Sequence, residues 1–235
     1  MVPGEIRVQP ARETVRPDEQ SAYDRVVGRQ TAYGYANGTP GYVQRAAGEE
    51  AGPYFGALLR SPRIADHISE LGVLYRRRGE EPDSFSHADR EWVDIVLGSY
   101  LGYNMWGHIC DGLAVGVRSE AVLAILEHRD ADLEADERRL ADIIRRFSDG
   151  ELDEGEDWAF LNGRFGERGA IEYLAWLGHL TMTIRLIQAL IGRHATSDED
   201  AAARVRKLVE TREPLPDPRA RIPPLRFEMG GESKK

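Results

Sequence analysis

Gly169-Ala-Ile-Glu-Tyr-Leu-Ala-Trp-Leu-Gly-His-Leu-Thr-Met-Thr-Ile-Arg-Leu-Ile-Gln-Ala-Leu-Ile191 is the most apolar stretch of the chain. It is long enough to cross a bilayer, yet Glu172, His179, Arg185 and Gln188 stand inside it. Charged groups in mid-span are costly in hydrocarbon, so the stretch reads as a long buried helix of a globular protein, without membrane contact. Its apolar residues recur at three-and-four spacing and do not alternate, and the same period returns N-terminal to it. The chain is therefore expected to be all-α.

Working outward, Asp136 to Phe147 carries Leu140, Ile143, Ile144 and Phe147 on one helical face. The run Asp149, Glu151, Asp153, Glu154, Glu156 and Asp157 between the two helices reads as a solvated acidic turn, because Gly150 and Gly155 are out of register for a calcium loop. Ser119-Glu120 opens a short helix through Val122, Leu123 and Leu126. A further helix is expected from about Gly102, carrying Met105, Ile109 and Leu113 up to Gly116. Ser86 caps a helix through Trp92, Ile95, Val96 and Ser99. Ser61-Pro62 starts another, whose face Ile64, Ile68, Leu71 and Tyr75 runs to Gly79, with Arg76, Arg77 and Arg78 as a solvated, dipole-complementing end. Residues 1–17 and 196–235 read as an N-terminal arm and as a helix end with a Pro-rich tail, bracketing a helical domain over 18–195. Ile222, Leu225 and Phe227 give the tail some apolar grip.

The chain has 235 residues, 41% of them apolar, enough for one sizeable core. Its formal charge of -9 opposes non-specific nucleic-acid binding. The single cysteine, Cys110, supports neither an internal disulfide nor a thiolate metal cluster. With charged residues where an export signal needs apolar ones, the protein is expected in the cytoplasm.

His67, His108 and His179 lie in apolar helical surroundings, and a buried imidazole needs a partner. Counted on an ideal helix, Asn104, His108 and Asp111 share a face. Glu172, Trp176, His179 and Thr183 form a second stripe, and Glu91 and Asp94 mark the helix before His108. No His-x-x-x-His or Glu-x-x-His pair stands on these helices, so neither a metal nor another cofactor is expected. A nucleophile elbow and a Gly-rich phosphate loop are absent from the sequence.

Gly52-Pro53-Tyr54, Leu59-Arg60-Ser61-Pro62, Arg90-Glu91-Trp92, Tyr103 to His108 with Gly116 following, and Arg164-Phe165-Gly166 stand in an order that resembles the carboxymuconolactone decarboxylase-like family, within the AhpD-like helical superfamily. The resemblance runs from about Arg16 to Gly192. It implies a helical bundle with a central helical hairpin, homo-oligomers (trimers or hexamers), and pockets between helices or subunits.

Where the family reads Tyr-Glu-Trp-x-x-His, this chain reads Tyr103-Asn104-Met105-Trp106-Gly107-His108, with asparagine in place of the glutamate. The peroxidase branch places a Cys-x-x-Cys pair at the positions held here by Leu101 and Asn104, so disulfide cycling is not expected. The resemblance instead implies a lyase-type enzyme in which His108 is the general acid or base and Glu91 orients it or shuttles a proton. Tyr103 and Asn104 would bond a substrate oxygen, and His179 would close the pocket from the last helix. The substrate class is a small carboxylated or lactone-like molecule, undergoing decarboxylation or a related proton transfer or elimination. The alternative is a non-catalytic binding or scaffold protein, which requires Met105, Trp106 or Trp176 to plug the space beside His108.

Overall fold

The computed structural model describes residues 8–34, 50–77, 82–153, 155–192 and 196–221, and these are all-α: helices joined by turns, with no strand among them. The helices are α1 (Gln20–Gly34), α2 (Gly52–Leu58), α3 (Pro62–Arg76), α4 (His87–Tyr100), α5 (Trp106–Ala114), α6 (Ser119–Leu126), α7 (Ala135–Asp149), α8 (Glu156–Leu190) and α9 (Asp198–Thr211). No helix of the described residues is long and apolar enough to cross a membrane.

Helix α4 is the centre of the molecule. Ser86 and Asp89 close a capping box at its N-terminus, satisfying two otherwise orphaned N–H groups. Every residue from Arg90 to Ser99 is buried. Around it α5, α6, α7, α8 and α9 form one apolar core. The N-terminal helices α1, α2 and α3 make a smaller cluster around Val26, Leu59 and Ala65 on the flank of that core. The expected arm is tied down within its described residues: the Gln9 amide donates to the Tyr23 hydroxyl and accepts from the Ala51 N–H.

Several boundaries differ from the sequence reading, each for an identifiable reason. The long helix begins at Glu156 and contains a break at Gly166, whose φ of 72° and ψ of 169° only glycine adopts without strain. On α3 the buried residues include Ala65, Asp66, Ser69, Val73 and, of the expected face, Tyr75, while Ile64 is 58% and Leu71 38% exposed. Arg29 of α1 explains this inversion, since its buried guanidinium binds Asp66 and Ser69 and makes a polar helix face the inner one. The acidic turn is not wholly solvated either, because Asp157 is fully buried against Arg139 and Arg146 and accepts the Asp153 N–H. Residues 196–211 are more than a helix end. Ser197 caps α9, whose Ala201, Ala202 and Val205 enter the main core. Arg78, Gly79, Glu154, Ile222, Leu225 and Phe227 lie outside the described residues.

Replacing Gly166 by alanine is expected to lower unfolding free energy in urea by about 1–3 kcal/mol, the cost of a side chain in that backbone region. Gly163→Ala, at a helical position with open space around its Cα, is expected to leave stability unchanged or raise it by up to about 1 kcal/mol.

Candidate active site

Helix α5 does not begin near Gly102. That glycine takes a left-handed φ of 66° to turn the chain, residues 103–105 are not helical, Met105 is extended, and the helix starts at Trp106. The Tyr103 N–H returns to the Gly98 carbonyl, and a Cβ on Gly98 would stand 3.2 Å from the Tyr103 oxygen. The hairpin thus has a tight neck. Farther along, Gly112 lets α5 approach α4 closely: a Cβ there would lie 2.8 Å from Ile95 Cδ1 and 3.3 Å from Glu91 Cβ. This contact sets His108 over the charged turn of α4.

That turn holds Arg90, Glu91 and Asp94, all buried. Arg90 bonds Oε1 of Glu91 through Nη2 and lies 3.4 Å from Oδ2 of Asp94 through Nη1. The opposite oxygens face α5. His108 Nδ1 lies 3.0 Å from Glu91 Oε2 and 3.6 Å from Asp94 Oδ1. The shorter contact is a hydrogen bond; the longer is not, and Asp94 Oδ1 is buried with no protein hydrogen-bond partner. Burial lifts the Asp94 carboxyl to about 7; Arg90 and Arg76 oppose the rise and Asp111 adds to it. With Nδ1–H donated to Glu91, the basic nitrogen of the neutral His108 ring is Nε2.

His108 and Asp94 line a cavity of about 180 Å³ between the N-terminal helices and the main core. Its other walls come from α1 (Gln30), α2 (Tyr54, Phe55), α3 (Ser69, Gly72, Arg76) and α8 (Trp176, His179, Thr183). The space equals that of about six waters at liquid density, or one compact organic molecule. Met105 and Trp176 line it without filling it.

Four buried polar atoms on these walls have no protein hydrogen-bond partner: Tyr54 Oη, Asp94 Oδ1, His179 Nδ1 and Thr183 Oγ1. Tyr54 and Thr183 sense each other without a well-formed bond, and burial pushes the Tyr54 phenol up to about 12, so it is a neutral donor. His179, stacked on Trp176, is pushed down to about 4, mainly by burial and then by the positive charge of Arg76. It therefore faces the cavity as a neutral imidazole.

Of the residues expected at the site, His108, Glu91 and His179 come together around or beneath this cavity, and Tyr103 and Asn104 do not. Asn104 is turned the other way, donating to the Thr196 carbonyl and to Asp198 at the start of α9, and pairing with Thr196 in an isolated bridge. The helical count that put Asn104 on the His108 face fails because the helix starts two residues after it. Tyr103 packs against the main core and is absent from the cavity wall. Sequence reasoning did not place Tyr54, Thr183 or Arg76 at the cavity; Tyr54 stood in a quoted segment and Thr183 in a quoted stripe, but nothing local shows that α2 and α8 converge. Arg76 belongs to the cavity wall instead of a solvated helix end. Cys110 is fully buried on α5 and away from the cavity.

The absence of a ligand pair within one helix does not describe the assembled site. Glu91 and Asp94, one turn apart on α4, and His108 on α5 offer one ligand atom each within 4.8 Å of one another. Among the described residues this is the one such group of histidine, cysteine and carboxylate side chains.

Because the folded His179 pKa lies below its ordinary value of 6.5, the unfolded chain takes up a proton first as pH falls. Stability is expected to be complete above about pH 6.5 and to decline from there towards pH 4. A His179→Gln variant is expected to lose less over that window, by up to about 3 kcal/mol in urea titrations at pH 7 and pH 4. His87, also pushed down to about 4 by burial, contributes in the same direction to both proteins.

Comparison with protein-family models, with curated proteins and with solved structures finds no match to this chain. The resemblance to the carboxymuconolactone decarboxylase-like family accordingly rests on the ordered segments of the sequence.

Proposed function

We propose that the chain is a carboxymuconolactone decarboxylase-like, lyase-type enzyme in which His108, oriented by Glu91, moves a proton on a small molecule held in the cavity. The observation that carries this reading is the 3.0 Å contact of His108 Nδ1 with buried Glu91 Oε2, on the wall of a cavity with room for a guest. A buried carboxylate behind an imidazole fixes the ring and its tautomer and stabilises it when it becomes charged.

For a lactone acid, loss of carbon dioxide breaks a C–C bond and moves its electron pair into a conjugated dienolate. The His108 imidazolium, with Nδ1–H held by Glu91, then delivers its Nε2 proton to carbon, and the neutral ring is reprotonated at Nε2 from water. The developing oxyanion needs donors, and the Tyr54 and Thr183 hydroxyls are the neutral donors on the cavity wall. Arg76 supplies positive charge for a substrate carboxylate. Elimination or isomerisation of a related molecule uses the same proton carrier. The open volume beside Met105 and Trp176 favours this reading over a plugged scaffold protein. A cytoplasmic homo-oligomer, trimer or hexamer, is part of the proposal; exposed Ile64, Leu71, Ile171 and Met182 are apolar surface suited to subunit contacts.

The test is turnover of 4-carboxymuconolactone and a panel of small lactone and β-keto acids, followed by ultraviolet absorbance and proton NMR. On any substrate found, His108→Ala is expected to lower kcat by about 10²–10⁴-fold, the range for removing a general acid or base. Glu91→Gln is expected to lower it by about tenfold or more, the loss typical of an orienting partner. Full activity in His108→Ala overturns the proposal.

A further inference from the structure

We infer that Glu91, Asp94 and His108 form a binding site for a divalent first-row transition-metal ion, held by Glu91 Oε2, Asp94 Oδ1 and His108 Nδ1 and open on the cavity side. The inference concerns the same side chains as the reaction proposed above, in a metal-loaded state in which the ion takes the place of the Nδ1 proton, and it rests on how these three side chains are held.

The first support is an oxygen left over. A proton on His108 Nδ1 satisfies Glu91 at 3.0 Å, but Asp94 Oδ1, 3.6 Å from the same nitrogen, is buried and has no hydrogen-bond partner in the protein. One proton serves one acceptor, whereas a cation serves all three donors at once. A buried acceptor without a partner is costly, so the arrangement is better satisfied by an ion than by a hydrogen.

Spacing gives the second support. With ligand distances of about 2.0–2.2 Å, neighbouring donors on one ion stand about 3.0 Å apart at right angles and about 3.4 Å apart at the tetrahedral angle. The nitrogen-to-oxygen separations of 3.0 and 3.6 Å already lie near those values.

Orientation gives the third. Arg90 holds each carboxylate by its far oxygen, Oε1 of Glu91 and Oδ2 of Asp94, and thereby turns the near oxygens towards His108. Metal-binding carboxylates are commonly fixed in this way by a hydrogen-bonded outer partner. With both carboxylates ionised, the group of Glu91, Asp94 and Arg90 carries one net negative charge, which a divalent ion reverses. The mixed set of one imidazole and two carboxylates selects manganese-to-zinc ions over magnesium and calcium, which favour oxygen alone. Asp94 and His108 also line the 180 Å³ cavity, from which water or a guest oxygen would complete the shell. On binding, the ion replaces the Nδ1 proton, which passes to buffer.

Isothermal titration of the full chain with Zn²⁺ tests the inference without needing a substrate. The expected result is one ion per chain, with a proton-release heat that changes between buffers of different ionisation enthalpy. Asp94→Asn and Glu91→Gln, which preserve side-chain shape, are each expected to weaken binding by at least about tenfold, the loss already typical of removing an outer-shell partner. Mg²⁺ is expected to bind far more weakly than Zn²⁺. With Co²⁺, visible absorption is expected to show d–d bands without a thiolate charge-transfer band, since Cys110 is not a ligand. Absence of one-to-one Zn²⁺ binding by the wild-type chain overturns the inference, as does tight binding undiminished in Asp94→Asn. Because turnover plays no part in these readouts, their failure leaves the His108 proposal untouched, and inactivity of His108→Ala does not count in their favour.

Discussion

Charge buried in the middle of α4 is the constraint on which the rest of this structure depends. Arg90, Glu91 and Asp94 stand within little more than one turn of a helix enclosed by other helices. An unpaired ion in such a place costs several kcal/mol, so the three must be matched to one another and to something else. Arg90 neutralises one carboxylate and reaches both, and the oxygens it does not reach point at α5. The group that meets them is His108. For it to do so, α5 must fold back on α4 within a few residues and pack against it without an intervening side chain. Gly102 makes the turn and Gly112 makes the approach, so two glycines place the imidazole where the charge requires it.

A compensated charge cluster alone would be structural. What makes this one a candidate for chemistry is that the N-terminal helices leave a space beside it. Arg29 and Asp66 clamp α1 to α3, and the flank so formed closes the cavity from one side while α8 closes it from the other. The polar atoms on those walls point to a polar guest. Tyr54, Thr183, His179 and Asp94 each bury a hydrogen-bonding atom that the protein leaves unsatisfied. Each such atom costs on the order of 1–3 kcal/mol, and four on one cavity is a concentration that folding stability alone does not explain. Their chemistry differs across the space. Neutral hydroxyls and a neutral imidazole lie on the α2 and α8 walls, and the carboxylates with His108 lie on the α4–α5 wall.

The fold class was legible in the sequence because it follows from period and capping, which are local. The Ser86 cap, the Pro62 start and the face of α7 stand where their residues predict, and the long apolar helix is present but begins earlier, at Glu156. What local reading missed came from contacts between distant segments. Asp66 and Ser69 are buried on α3 because Arg29 lies opposite them, and no apolar periodicity carries that information. His108 and Glu91 were identified through the resemblance, and the structure brings them into contact. Asn104 was placed by counting around a helix that starts later than assumed, and Tyr103 by the resemblance. Asp94 was noted only as a mark on a helix side, because its meaning depends on which oxygen Arg90 occupies. Tyr54 and Thr183 are 129 positions apart in the chain, and only packing shows that they share a wall.

The central claim is that buried Glu91 holds the Nδ1 proton of His108 at the edge of an open cavity. Long-range nitrogen–proton correlation NMR of the histidine rings, on metal-free protein labelled with ¹⁵N, reads this directly. The account predicts that His108 Nδ1 carries a proton at every pH at which the chain is folded, that titration is seen at Nε2, and that Glu91→Gln shifts the Nδ1 resonance. A His108 ring protonated at Nε2 alone, with a bare Nδ1 that does not respond to Glu91→Gln, would contradict it.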